Sequence, residues 1–269
     1  MPVNDEVRTS ESVRDKFSVD GKTAVVTGAS SGIGRAIAET FAADGADVVI
    51  CSRTRDDVEA VAEELNGADV DGSVLPVECD VTDRDDVEAL AEATAEEFDG
   101  ADVLVNNAGG AGPGGTLDEV GEDDWNGVIQ VNLTGVYNAT HAFAGQLRDG
   151  GGEVVNTSSM AGRYGVAGMG PYSAAKAGVS ALTRTLATEW ADDDVRVNAV
   201  EPGFIATPPV REMFGLDEIP DRDGAGRRVG SPHEVADTVR FLASDAASFV
   251  TGQTIAPTGP PNTFQPPEN

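Results

Sequence analysis
TAVVTGASSGIG, residues 23–34, runs from an unbroken apolar stretch into a glycine-rich turn and the first helix-like pattern of the chain. Ala, Val and Thr in succession read as a strand buried on both faces. The glycines at 28, 32 and 34 permit unusual backbone angles and let an anion approach the main chain. A helix opening near Ile33 then offers unpaired N–H groups and the positive end of its dipole. A tight strand–helix connection is the other reading; the turn's position directly after the first strand favours the nucleotide. Gly28, Ser30, Ser31, Gly32, Ile33 and Gly34 are therefore expected to hold the pyrophosphate of a dinucleotide.

The same alternation continues outward from that turn. Strand-like runs follow at 47–52 (DVVICS), 73–80 (SVLPVECD), 102–109 (DVLVNNAG), 153–159 (EVVNTSS) and 195–203 (VRVNAVEPG). Between them lie DDVEAVAEEL, DDVEALAEATAEEF, a long helical stretch across 122–147 and another over 171–191. A last helix begins near Pro232, and TGQTIAP (251–257) offers a short final strand. Continuous apolar strands separated by helices predict an α/β fold, a Rossmann-type doubly wound parallel sheet of about seven strands with helices on both faces. With no repeat and no linker, one domain is expected over 19–269, after a polar, flexible lead-in over 1–18. Residues 206–231, rich in Pro, Gly and charge, are too long for a simple connection and are expected to form a substrate lid.

Charge narrows the setting. The net charge is −29, spread along the chain, and the only lysines are Lys16, Lys22 and Lys176. Distributed acid with so little lysine points to a salt-adapted surface, as in a halophile. Nucleic acid is disfavoured as a partner, because its phosphates would meet like charge. No apolar run approaches a membrane span. Cys51 and Cys79 lack metal-ligand spacing and fit a reduced, cytoplasmic compartment. The sequence shows no metal site.

The second strand ends in CSRT. Ser52 stands where an acid would bind a free ribose 2′-OH, and Arg53 follows it. Arginine, planar and permanently charged, suits a 2′-phosphate, so NADP(H) is favoured over NAD(H). At the end of the third strand, Asp80 can accept from an adenine amino group or cap the next helix.

PYSAAKAGV (171–179) holds Tyr172 and, four positions on, Lys176. Residues so spaced share a helix face. An ammonium beside a phenol is expected to lower the phenol's pKa and make it a usable proton donor. NTSSMAG (156–162) sets Ser158 and Ser159 at the carboxyl edge of the sheet, where open α/β folds bind ligands.

At this point the chain resembles the short-chain dehydrogenase/reductase family. The resemblance rests on TGASSGIG, NNAG (106–109), Asn132 of VNLTG, Ser159, the Tyr172/Lys176 pair and PGFIAT (202–207), and covers roughly residues 20 to 255. It implies that Tyr172 is the acid/base and that Lys176 is its partner, which also holds the nicotinamide ribose. Ser159, thirteen residues before the tyrosine, would bond the substrate oxygen, with Ser158 as its rival. Asn132 would hold a water in a proton relay or serve a kinked helix. Asp80 and Val81 would meet the adenine, and Asn107, Ala108 and Gly109 would line the cofactor. Pro202, Gly203, Ile205 and Thr207 would meet the nicotinamide. A homotetramer is implied as well.

The sequence departs from that family where relatives often read Asp-Gly-Gly. Here the end is APTGPPNTFQPPEN, and GGAGPGG (109–115) makes one pocket wall unusually glycine-rich. Phe204, Met213 and Phe214 hint at a partly apolar substrate, whereas the several charges of the lid would suit a hydrophilic one. His141 and His233 read as surface or packing residues, and Trp125 and Trp190 as core anchors. The expected activity interconverts a secondary alcohol and a ketone, with a 3-oxoacyl thioester on acyl carrier protein or CoA as the leading substrate. A sugar or polyol, as for a glucose 1-dehydrogenase, is the runner-up. A non-catalytic nucleotide-binding sensor is the reading from another class.

Overall fold
The fold is described from a computed structural model, which describes residues 9–68, 70–217 and 229–260. Seven strands form one sheet: β1 (Thr23–Thr27), β2 (Asp47–Ser52), β3 (Val74–Glu78), β4 (Val103–Asn106), β5 (Glu153–Thr157), β6 (Arg196–Val200) and the short β9 (Thr254–Ile255). Their order is β3-β2-β1-β4-β5-β6-β9, and every pairing is parallel. The doubly wound sheet expected from the sequence is therefore the observed one. β7 (Phe204–Ile205) and β8 (Val229–Gly230) make a separate two-stranded parallel pair.

The apolar continuity of the strands has a simple cause. Val26, Val48, Ile50, Val103 and Val105 face one core, closed by α2 (Gly32–Ala43), α3 (Arg55–Asn66) and α10 (Pro232–Ala243). Val25, Val49, Leu104, Val154 and Val197 face the other, beneath α4 (Arg84–Phe98), α6 (Gly135–Arg148) and α8 (Gly170–Glu189). Alternate side chains point to opposite faces, so a strand covered on both needs apolar residues at every position.

Three departures from expectation bear on the site. The helix expected across 122–147 is interrupted: α5 (Glu122–Ile129) and α6 are joined by a π-helical turn over Gln130–Thr134, which carries Asn132. Single π turns inside helices mark functional positions. The fifth strand stops at Thr157, and a short helix α7 (Met160–Tyr164) follows with Ser159 as its N-cap. In the expected lid, α9 (Pro208–Phe214) follows β7, and the Phe204 and Phe214 rings meet edge to face at 5.3 Å. Residues 218–228 of that lid, 1–8 of the lead-in and 261–269 of the unusual end lie outside the described residues. Within the lead-in, α1 (Ser10–Asp15) is closed by a capping box on Thr9, and the Phe17 ring lies 6.1 Å from Phe241. Among the described residues, no helix is long and apolar enough to cross a membrane.

Candidate active site
The sheet order reverses between β1 and β4, and their carboxyl ends open the crevice where such folds bind ligands. The glycine turn and the NNAG segment meet there. Thr27 Oγ1 accepts from the backbone N–H groups of Asn107 and Ala108, each at 3.0 Å. Asn107 Nδ2 donates back to the carbonyls of Thr27 and Gly28 at 3.0 and 3.1 Å. Gly28 has φ +66°, and a Cβ on it would lie 2.7 Å from Ala108 Cα. A Cβ on Gly34 would lie 2.4 Å from both Asn107 Nδ2 and the Gly28 oxygen. Only glycine lets these segments close to this distance.

The cradle fits a pyrophosphate. Ser31 is the N-cap of α2, yet its hydroxyl makes no capping bond, whereas Asp83 and Ser231 do cap α4 and α10. The first-turn N–H groups of α2 are left for an external acceptor. An open cavity beside the turn, of about 330 Å³, is lined by Ser30, Ser31, Arg35, Asp57, Val61 and Glu64 among others. Arg35 is a cation that sequence reasoning missed. It is already engaged by Glu39 at 2.7 Å and Glu64 at 2.6 Å.

At the end of β2, Ser52 Oγ donates to the Thr54 carbonyl at 2.9 Å. Arg53 is exposed and makes no hydrogen bond or ion pair among the described residues. Asp80 is not the cap of the next helix, because Asp83 holds that position. Asp80 Oδ1 instead accepts from the Thr82 N–H and hydroxyl at 2.9 and 2.8 Å, folding the turn after β3. Val81 is buried, and its carbonyl accepts from Asn138 Nδ2 at 2.9 Å.

The expected catalytic residues converge. Lys176 is 3% exposed, its Nζ donates to the Thr157 carbonyl at 2.7 Å, and it sits 5.7 Å from the centroid of the Tyr172 ring. Burial pulls the ammonium down from its ordinary 10.5 to about 8. Burial pushes the Tyr172 phenol above its ordinary value, and a hydrogen bond from Ser159 draws it partly back. The expected lowering of the phenol by the lysine is thus not what this geometry gives. The ammonium donates to the Thr157 carbonyl, and desolvation is the largest influence on the phenol.

The two serines separate cleanly. Ser158 Oγ is buried, donates to the Lys176 carbonyl at 2.8 Å and lies 2.7 Å from Ser180 Oγ. It belongs to the packing under α8. Ser159 caps α7, accepting from the Ala161 N–H at 3.1 Å, and faces the phenol. Asn132 Nδ2 donates to the carbonyls of Val128 and Gly110 at 2.9 Å each, and Oδ1 accepts from Gly110 N–H at 3.1 Å. Its side chain clamps the glycine-rich wall to the π turn. A Cβ on Gly109 would touch both Asn132 Oδ1, at 2.5 Å, and Lys176 Nζ, at 3.2 Å.

Pro202 O accepts from Met160 N–H, and Gly203 N–H donates to the Pro257 carbonyl. Ile205 is buried, and a Cβ on Gly32 would lie 3.1 Å from the Thr207 methyl group, so both ends of the crevice are in contact. His141 stacks on Tyr137 at 5.7 Å, and His233 lies 2.9 Å from Glu39. Trp190 is buried, as expected of a core anchor; Trp125 is only half-buried.

A dinucleotide cradle facing a buried lysine, a phenol and a hydroxyl defines a dehydrogenase or reductase. A family model described as enoyl-(acyl carrier protein) reductase matches residues 28–259. The chain is 45% identical to cis-4-hydroxycyclohexanecarboxylate dehydrogenase of Sinomonas cyclohexanicum over 88% of its own length and 95% of that protein's. It is 41% identical to a 3-oxoacyl-[acyl-carrier-protein] reductase of Thermotoga maritima, over 88% and 96% of the two chains. The crystal structure of L-sorbose reductase from Gluconobacter frateurii, complexed with NADPH and L-sorbose, superposes with a TM-score of 0.82 at 31% identity, covering 91% of this chain and 97% of that one. The chain belongs to the short-chain dehydrogenase/reductase family and is an oxidoreductase acting on CH–OH groups.

Proposed function
We propose that this chain reduces a ketone to a secondary alcohol with NADPH, and that its leading substrate is a 3-oxoacyl thioester. The observation that carries the reading is the convergence of Tyr172, Lys176 and Ser159 on the crevice opposite the glycine turn. Reductases of 3-oxoacyl thioesters on acyl carrier protein are among its relatives, from Thermotoga maritima and from Synechocystis, the latter 42% identical. A phenol donating a proton suits a carbonyl oxygen, which gains charge as it is reduced.

Gly28, Gly32, Gly34 and the N–H groups of Ser30, Ser31 and Ile33 would hold the pyrophosphate. Arg53 would meet the 2′-phosphate beside Ser52, with Asp80 and Val81 at the adenine. Asn107, Ala108, Gly109, Pro202, Gly203, Ile205 and Thr207 would border the nicotinamide half. When bound, the dihydronicotinamide supplies the hydride. The chain supplies the rest: Ser159 orients the carbonyl oxygen, Tyr172 Oη gives it a proton, and Lys176 steadies the charge left on the phenol. Asn132 acts by fixing the turn that carries it.

A sugar or polyol is the second reading, favoured by the likeness to L-sorbose reductase. A nucleotide sensor without turnover would have no use for the buried lysine. The net charge of −29 and three lysines support work in high salt, in the cytoplasm. A homotetramer follows family habit and closed symmetry, and the exposed Tyr137 and Phe249 are apolar surface for it to cover; the mass by light scattering in molar salt tests it.

The deciding experiment is a panel of 3-oxoacyl thioesters, sugars and small ketones in molar salt, followed by NADPH absorbance. Turnover of thioesters is the expected result, abolished in Tyr172→Phe by about 10²-fold or more while NADPH still binds. Turnover of sugars alone selects the second reading. NADPH binding without turnover of any member overturns the enzyme reading, and full activity of Tyr172→Phe overturns the mechanism.

A further inference from the structure
We propose that Glu201 is a positioning residue of this site, a buried carboxylate that locks the Ser159 turn, the Tyr172–Lys176 helix and the end of β6 into one body. Glu201 is 4% exposed and sits between β6 and Pro202. Its backbone N–H donates to Ile255 O at 2.7 Å, tying it to the edge strand. Its side chain points to the α8 side of the sheet, where Oε1 accepts from Ser180 Oγ at 3.1 Å. Arg163 Nε stands 2.6 Å from Oε2, without the alignment of a hydrogen bond, so that contact is chiefly Coulombic.

Each partner leads to one functional group. Arg163 belongs to α7, one turn beyond Ser159. Ser180 belongs to α8, one turn beyond Lys176, and its hydroxyl lies 2.7 Å from Ser158 Oγ. Ser158 donates to the Lys176 carbonyl at 2.8 Å, and Ser180 Oγ lies 3.3 Å from the same oxygen. The carboxylate therefore sits at the head of a chain of contacts that ends on the backbone of the catalytic lysine. α7 and α8 are pressed together at the same place: a Cβ on Gly162 would lie 2.6 Å from the backbone of Lys176 and Ala177.

Stability alone does not explain a carboxylate here. Desolvating it is costly, and an apolar residue of similar size would serve packing as well or better. What the carboxylate adds is direction, since it holds α7 and α8 in one fixed relation. Catalytic geometry is sensitive to displacements of about 1 Å. Glu201 touches neither substrate nor cofactor; it acts through Ser159 and Lys176.

The inference rests on the proposed site being a working one, though not on any particular substrate, and its test separates the two. Glu201→Gln keeps the size and the acceptor for Ser180 but drops the charge that holds Arg163. Arg163→Met removes the other end from a half-exposed position, so it decides the matter if Glu201→Gln does not fold. The first readout needs no substrate. The chain has 3 tyrosines, so the near-ultraviolet titration of Tyr172 is isolated by difference against Tyr172→Phe. In both variants the phenol is expected to titrate higher than in wild type, because Ser159 no longer stabilises the phenolate. The second readout is turnover: kcat falls about tenfold or more while KM for NADPH is unchanged, the pattern of a displaced acid rather than a lost binding contact. The double variant is expected to be no worse than the worse single one. Unchanged Tyr172 titration and unchanged kcat, or losses that simply add, would overturn the role. If no substrate turns over even in wild type, the proposed function fails while the phenol titration still judges Glu201.

Discussion
Replacing Lys176 with methionine gives the sharpest physical test of the site, because it turns catalytic necessity into a stability change whose sign depends on pH. In the folded chain the ammonium is buried, and its pKa falls from 10.5 to about 8. At 1.36 kcal/mol per pH unit, that gap is about 3 kcal/mol. Between the two values the unfolded chain binds more protons than the folded one, so stability rises with pH. The contribution is therefore complete above 10.5 and lost as pH falls through 8. At pH 7 the wild type bears the whole cost of a charged, desolvated lysine.

Methionine fills a similar volume without charge. It escapes that cost but strips the Thr157 carbonyl of its 2.7 Å donor, a loss of about 1–3 kcal/mol that does not vary with pH. At neutral pH the variant should equal the wild type or exceed it by about 1 kcal/mol, and at pH 10.5 it should be weaker by about 2 kcal/mol. The decisive quantity is the change in their difference, about 3 kcal/mol across that range. Urea unfolding in molar salt, followed by the fluorescence of Trp125 and Trp190 at matched protein concentration, measures it. Titrating groups away from Lys176 cancel between the two proteins, and Tyr172→Phe as a common background removes the neighbouring phenol from the comparison. A difference that stays flat from neutral pH to pH 10.5 would refute a buried, strained ammonium, whatever happened to activity.

Two further substitutions probe the cofactor crevice. Gly34→Ala would drive a Cβ to 2.4 Å from the Gly28 oxygen and from Asn107 Nδ2, and backbone cannot yield as a side-chain tip can. It should cost about 1–3 kcal/mol of stability and weaken NADPH binding at least as much; calorimetric Tm and fluorescence titration would show it, and a variant with wild-type values would mean the turn is looser than drawn. Arg53→Ala should weaken NADPH binding by about 1.5–3 kcal/mol, roughly ten- to hundredfold, and leave NADH nearly unchanged. Equal losses for both cofactors would assign the 2′-phosphate to another cation, with Arg35 the nearest candidate.

The sheet was legible because two-sided burial leaves a mark on every position of a strand. VVIC and VLV are apolar throughout, and each face of the sheet collects alternate members of them. The crevice was legible because glycine is irreplaceable where the turn after β1 meets NNAG. What the sequence hid was of another kind. The π turn at 130–134, QVNLT, involves no residue whose type marks it. Helix α7 has only 5 residues, too few for periodicity to show. Glu201 and Arg163 stand thirty-eight positions apart and look like two more charges in a charged chain, so only the fold pairs them. Arg35 stood in plain view in GIGRA, but nothing in the sequence set its reach toward the cavity beside Ser31.

The tuning of the phenol illustrates the same limit. Tyr172 and Lys176 announce that a proton and a charge are brought together, and helical spacing guarantees a shared face. Spacing does not say whether the charge reaches the phenol or is held by something else. Here the Thr157 carbonyl takes the ammonium, and both groups are desolvated, which drives the phenol up and the lysine down. The phenol rises from 10 while the lysine falls from 10.5 to about 8, so the two move apart and the proton stays on the phenol rather than passing between them. Exclusion of water, more than attraction between neighbours, thus sets both groups and keeps the phenol protonated as a donor. That is also why an acid-rich exterior is compatible with it: charge on the solvated surface is screened by salt, while the desolvation of a buried pair is not.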